Sequence, residues 1–183
     1  NSLAQSFKDM GLGKGDIIAI LLYNCPEYVE MTFAINKIGA TWLPLNFRLA
    51  APEFEYILNN SEAKCLITES EFIPIISSIK DKVPSLKGLI QFDAKPFEGW
   101  LSYEDLIEKN KGARVKDEDV EIDDLHRLMY TSGTTAHPKG VMLSYGNLYW
   151  KNIGHVLVFS LTEADKTLVV GPLYHVGGMD LPA

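Results

Sequence analysis

The chain has 183 residues, 46% of them hydrophobic and 22% charged, and carries 17 Lys and Arg against 24 Asp and Glu for a net charge of −7. That length and composition suit one globular domain, or one and part of another, with an ample core, and they exclude disorder and collagen-like order. The negative balance argues against nucleic-acid binding, and the longest apolar run, Ile17 to Tyr23, falls far short of the roughly 20 residues that span a bilayer.

Apolar periodicity alternates between helix and strand along the chain. Residues 2–11 carry Leu3, Phe7 and Met10 at helical spacing and stop at Gly11 and Gly13. Asp16 to Leu22 is a near-continuous apolar run, as in a buried parallel strand. Pro26 opens a helix that Gly39 ends, and Thr41 to Leu45 reads as a second strand. Pro52 starts another helix, and Ala63 to Thr68 follows as a third strand. Residues 70–82 read as one helix despite Pro74, with a fourth strand over Leu86 to Phe92. Residues 93–124 are irregular apart from a short helix, Tyr103 to Lys109. Then come a strand over Leu125 to Tyr130, a polar loop over 131–140, and a short strand over Val141 to Leu143. Ser144 caps a helix to Phe159, Thr167 to Val170 reads as a last strand, and Pro172 to Gly178 as a turn. Repeated strand–helix–strand units predict an α/β fold: layered, mostly parallel sheets with helices on both faces.

This reading divides the chain into an α/β lobe over 1–113, an acidic linker over 114–124 and a phosphate-loop segment over 125–183. Asp117, Glu118, Asp119, Glu121, Asp123 and Asp124 hold most of the net charge, and such a run is expected to be a solvated linker. Cys25 and Cys65 form no metal or disulfide spacing and fit a reducing, cytoplasmic compartment. A start at Asn1 and a stop at Ala183, just past a glycine-rich turn, are what a piece of a longer protein would show.

The densest chemistry lies in Thr131-Ser132-Gly133-Thr134-Thr135-Ala136-His137-Pro138-Lys139-Gly140, directly after an apolar strand. Hydroxyls and backbone N–H groups donate to phosphate oxygens, glycine permits close approach, and lysine adds a compact positive charge. The loop is not a Walker A motif, because Pro138 precedes Lys139 and Gly140 follows it. Gly11, Gly13 and Gly15 do not make a dinucleotide fingerprint, because they precede a strand. His126, His137 and His155 read as ordinary packed or surface histidines.

Tyr130 to Val141 (YTSGTT-x-x-PKGV) resembles the phosphate loop of the adenylate-forming, AMP-binding enzymes. Lys37 to Ala40 with Pro44 to Leu49 resembles a second motif of that family, and Pro172 to Gly178 (PLYHVGG) its histidine motif. The wording is most similar to the acyl-CoA synthetase branch, and the resemblance covers essentially the whole chain. It implies a fatty-acid–CoA ligase-like protein of which this is the N-terminal portion, using ATP, Mg²⁺ and coenzyme A as cosubstrate. It assigns Thr131, Ser132, Gly133, Thr134, Thr135, Lys139 and Gly140 to the ATP phosphates, with Thr131 also a Mg²⁺ candidate. It assigns His175, Val176, Gly177 and Gly178 to the junction of acyl pocket and nucleotide, and gives Lys139 and His175 the catalytic roles. An aryl or succinylbenzoate-type acid, or a truncated non-catalytic nucleotide-binding or interaction module, are the alternatives. Peripheral membrane contact and oligomerisation stay open.

Two departures from the family pattern stand out. The adenine-binding, ribose-binding and C-terminal catalytic segments of the family come after residue 183, so the 183 residues alone are expected to complete neither half-reaction. Ala136 replaces a family glycine; if that position needs φ > 0, alanine costs about 1–2 kcal/mol. Ala136→Gly in the longer protein is therefore expected to speed pyrophosphate exchange by about 5- to 30-fold, and an unchanged rate would sink the idea.

Overall fold

Apolar runs too short for helices but apolar on both faces are stable only as parallel strands covered on two sides. The computed structural model describes residues 1–93, 95–131 and 137–180 and has that arrangement. The strands are β1 (Ile17–Leu21), β2 (Thr41–Pro44), β3 (Cys65–Thr68), β4 (Gly88–Gln91), β5 (Leu101–Ser102), β6 (Leu125–Thr131) and β7 (Lys139–Ser144). Among the described residues they form one seven-stranded sheet in the order β5-β4-β3-β1-β2-β6-β7. Every neighbouring pair is parallel except β6–β7, an antiparallel hairpin.

The helices are α1 (Ser2–Asp9), α2 (Pro26–Lys37), α3 (Ala51–Asn60), α4 (Ile73–Ser77), α5 (Tyr103–Lys109), α6 (Tyr145–Phe159) and α7 (Val176–Met179). Alternate strand residues feed two cores. Phe7, Tyr28, Met31 and Ile35 pack over Ile18, Ile20, Trp42 and Ile67 on one face. Phe54, Ile57, Leu58 and Ile76 pack over Ala19, Leu21, Leu43 and Leu66 on the other. Each fully buried Ile, Leu, Met or Phe among them contributes about 1.5–3 kcal/mol. Pro26 occupies the first turn of α2, and Gly39, at φ +70°, reverses the chain after it. Ser144 caps α6 by accepting from Asn147 N–H at 3.2 Å while Asn147 Oδ1 accepts from Ser144 N–H at 2.9 Å.

The structure departs from the sequence reading in five places, the first being the two-residue strand β5 in a stretch expected to be irregular apart from one helix. The expected helix over 70–82 splits into a 3₁₀ turn (Ser70–Phe72), α4 and a second 3₁₀ turn (Lys80–Lys82), with Pro74 in the first turn of α4, because proline starts a helix better than it continues one. Thr167 to Val170 is not a strand. Leu168 and Val170 are 84% and 85% exposed, and β-propensity counts only against a neighbouring strand. The polar loop is shorter than expected, since β6 and β7 extend to Thr131 and back to Lys139. The expected turn over 172–178 ends in the short helix α7.

The acidic stretch lies along the lysines of the N-terminal part. Asp117 pairs with Lys37, Asp124 with Lys14 at 2.7 Å and Glu118 with Lys8 at 3.7 Å. Each surface pair is worth about 0–1 kcal/mol. On the far side of the sheet edge, α6 leaves Trp150, Leu157, Val158 and Phe159 exposed, an apolar face of the kind that marks an interface.

His126 is largely buried, with Nε2 at 2.8 Å from Asn36 Nδ2 and its ring edge-on to Trp42 and Tyr145. Burial first, then the charges of Arg127 and Lys151, push its pKa from the ordinary 6.5 down to about 4. The unfolded chain therefore binds the proton that the folded chain refuses. Stability is complete above pH 6.5 and declines as pH falls towards 4, by on the order of 2–3 kcal/mol. Urea midpoints for His126→Gln are expected to fall less steeply between pH 6.5 and 4.5 than those of the parent chain. Parallel pH curves would contradict this.

Candidate functional site

In a parallel sheet the carboxyl ends of all strands open on one edge, where ligands collect. β6 delivers Thr131 to that edge and the hairpin returns Lys139 to face it, for Thr131 and Lys139 are register partners. Opposed residues of an antiparallel pair project to the same side. Both are exposed. Ser132, Gly133, Thr134, Thr135 and Ala136 lie outside the described residues, so the expectations for them rest on sequence. Gly140 is paired with Tyr130, and a Cβ there would come to 3.0 Å from Leu128 Cδ1 and 3.2 Å from Tyr130 Cζ, so the hairpin closes tightly at this residue.

Helix α3 holds both arms of the hairpin. Tyr130 Oη donates to Asn60 Oδ1 at 2.6 Å, and burial pushes the phenol up to about 12, which keeps it a donor. On the return arm the His137 ring stacks on Tyr56 with centroids 4.7 Å apart and planes 18° apart. Tyr56 and Asn60 belong to no motif, and no periodicity in the sequence marks them.

The histidine segment meets the same edge. His175 caps the N-terminus of α7, and its Nδ1 accepts from Gly177 N–H at 3.1 Å, which leaves the proton of the neutral ring on Nε2. Its backbone N–H donates to Pro172 O at 3.0 Å. A Cβ on Gly178 would lie 2.3 Å from that same oxygen, so only glycine fits the turn. Tyr174 packs edge-on against Phe47 at 5.1 Å, and Phe47 in turn against Tyr23 at 4.7 Å.

These parts surround a cavity of about 480 Å³. Thr131 and Pro138 from the hairpin and Tyr174, His175 and Val176 from the histidine segment line it together, whereas Lys139, Gly140, Gly177 and Gly178 stand outside its lining. Leu49, Ile57, Met129, Val141 and Leu143 make its walls apolar. Two larger clefts, about 790 and 760 Å³, open elsewhere: one beside α2 and Asp117, the other at the amino edge of the sheet near Lys64 and Lys87. Neither touches Thr131, Lys139 or His175, so chemistry rather than size assigns the site.

Glu53 is the one carboxylate lining the cavity, and it accepts from Ala50 N–H at 2.9 Å. Among the described residues no three His, Cys, Asp or Glu side chains cluster as a metal site. Thr131 offers a single hydroxyl. That suits Mg²⁺ held mainly by phosphate oxygens and water, and does not suit a cage built by protein alone. Both cysteines are free, and burial pushes Cys25 up to about 11 and Cys65 to about 12, so neither supplies a thiolate at neutral pH.

The protein-family model described as "AMP-binding enzyme" matches residues 1–182. The chain is 37% identical over 178 residues to an indoleacetate–CoA ligase of Aromatoleum aromaticum, covering 97% of this chain and 34% of that protein. It is 34% identical over 179 residues to a crotonobetaine/carnitine–CoA ligase of Escherichia coli, with coverages of 96% and 35%. The crystal structure of an anthranilate CoA ligase in complex with anthranoyl-AMP superposes with a TM-score of 0.91 at 31% identity, over 97% of this chain and 35% of that one. A long-chain-fatty-acid–CoA ligase from Archaeoglobus fulgidus superposes with a TM-score of 0.88 at 25% identity, over 98% and 35%. The chain thus spans about a third of the length of the relatives it matches. No described helix is long and apolar enough to cross a membrane.

The fit of Gly178 under Pro172 makes a sharp test. Gly178→Ala is expected to open the turn locally by about 1–3 kcal/mol, raising amide exchange at Gly177 and Met179 while core amides such as Ile20 keep their protection. Unchanged exchange at the turn would contradict the packing described.

Proposed function

This chain belongs to the AMP-binding enzyme family, and we propose on that premise that the whole protein activates a carboxylic acid with ATP and transfers the acyl group to coenzyme A. The observation that carries the proposal is the Thr131–Lys139 hairpin mouth opening at the sheet edge beside the His175 cavity.

A carboxylate oxygen attacks the α-phosphorus of ATP, the bond to the β-phosphate oxygen breaks, and pyrophosphate leaves an acyl-adenylate. The sulfur of coenzyme A, having given up its proton, then attacks the acyl carbon and expels AMP. Lys139 offsets the growing charge on the departing β- and γ-phosphates, and Thr131 with Ser132 to Thr135 and Gly140 supplies the hydroxyl and N–H donors that hold them. This is positioning and charge stabilisation. Mg²⁺, when bound, neutralises phosphate charge, and Thr131 would hold it through its hydroxyl. His175, with Val176, Gly177 and Gly178, borders the point where acid and nucleotide meet, and its Nε2–H is the donor available there.

For the acid, an aromatic acid is favoured over a fatty acid, because relatives at 37% identity and at a TM-score of 0.91 are named for indoleacetate and anthranilate. The apolar cavity walls accept either. Two free cysteines without metal or disulfide spacing support a reducing, cytoplasmic setting.

A protein of the relatives' full length tests the reading. With indoleacetate, anthranilate and medium- or long-chain fatty acids as a panel, at least one is expected to support ATP–pyrophosphate exchange. Lys139→Ala should lower that exchange by about 100-fold or more. Exchange by the 183 residues alone should be negligible. ATP binding with no exchange for any acid would favour the non-catalytic module instead, and undiminished exchange in Lys139→Ala would overturn the role of the lysine.

A further inference from the structure

The segment that carries His175 is fixed at both flanks by residues outside the motifs. Upstream, Asn24 sits just past the carboxyl end of β1 and uses both ends of its amide: Nδ2 donates to Gly171 O at 2.9 Å, and Oδ1 accepts from Leu173 N–H at 2.8 Å. The segment offers one carbonyl and one N–H two residues apart, and an amide side chain meets them with a donor and an acceptor on separate atoms. Downstream, Asp180 follows α7. Its carboxylate pairs with the guanidinium of Arg127, which is 1% exposed, and its carbonyl accepts from Lys151 Nζ at 2.7 Å. Arg127 also lies over the Trp42 ring at 5.6 Å, and its Nε and Nη1 find no hydrogen-bond partner among the described residues. Among the described carboxylates only Asp180 forms an ion pair with it.

Between the two clamps the chain has little freedom. His175 N–H donates to Pro172 O, Met179 N–H donates to His175 O at 3.1 Å, and Gly178 is pressed against Pro172. The contacts from Asn24 and Arg127 reach across 147–149 and 53 residues of sequence, so they place the segment on the sheet rather than shape it locally.

We propose that Asn24 and Arg127 are positioning residues that hold the His175 segment against the carboxyl edge of the sheet and so orient its imidazole at the cavity. This rests on the reading of that cavity as the site of acyl activation and deepens it. Arg127 is buried against Trp42 and its removal would open the core, so the less buried Asp180 is the point of intervention on that side. Asn24 is exposed, and its substitution leaves the core untouched.

The test uses Asn24→Ala and Asp180→Asn. In the 183-residue chain, imidazole ¹⁵N shifts of His175 report its tautomer, and amide exchange is followed at Leu173 and Gly177, with Ile20 and Leu66 as core controls. Both variants are expected to erase the Nε2–H signature and to raise exchange at Leu173 and Gly177 at least tenfold, with the controls unmoved. In the protein of full length, kcat is expected to fall about 10- to 100-fold while KM for ATP stays within about twofold, because misplacement acts on the reacting geometry and not on phosphate binding. Unchanged shifts and exchange would overturn the proposal, as would an undiminished kcat in a protein whose His175 signature is lost. If the signature is lost and no acid is activated even by the parent protein, the positional assignment stands and the ligase reading falls.

Discussion

Everything in this molecule follows from the requirement that parallel strands be covered on both faces and all end on the same edge. Five of the six strand pairings are parallel, and each return passes over a face of the sheet, so residues just after β1, β2 and β6 meet in space however distant they are in sequence. Asn24, Phe47 and Thr131 reach one edge by that rule alone. The single antiparallel step, β6 to β7, occurs at this edge and brings Lys139 back to face Thr131. A hydroxyl-rich loop placed there must open where ligands of open α/β sheets collect.

The joint between β2 and β6 unites the chain on either side of the acidic stretch. Trp42 is the register partner of Arg127, and Thr41 Oγ1 donates to Leu125 O at 2.9 Å. Apolar residues in place of the Arg127–Asp180 pair would serve stability as well or better. A buried guanidinium is instead a demand for a particular carboxylate in a particular place, and it fixes where Asp180, at the end of α7, sits on the sheet. The ion pairs of Asp117, Glu118 and Asp124 with Lys37, Lys8 and Lys14 are weaker and more exposed, and they hold the acidic stretch close to the N-terminal helices.

The alternation of strand and helix was legible because it is written locally. The run Ile17–Leu21 has too few residues to be a helix, and Pro26 and Gly39 bracket α2. The hairpin motif and PLYHVGG were legible for the same reason, as short contiguous strings. What escaped is non-local. Tyr56, Asn60 and Asn24 hold the site through contacts with residues far along the chain, which no period in the sequence records. Thr167 to Val170 carried strand propensity without a strand to pair with, and residues 70–82 carried helical spacing that Pro74 interrupts. The class of acid stayed unread because Leu49, Ile57, Met129, Val141 and Leu143 form a wall that accommodates an alkyl chain or an aromatic ring alike.

The central claim is that the hairpin mouth is a phosphate site built by this sheet edge. An NMR titration of the 183-residue chain with ATP or tripolyphosphate tests it most directly. The account predicts saturable shifts centred on Thr131, Lys139 and Gly140, weakened by added salt and lost in Lys139→Ala, with the cleft at Lys64 and Lys87 unaffected. Shifts that centre on Lys64 and Lys87, or that persist unchanged in Lys139→Ala, would contradict it.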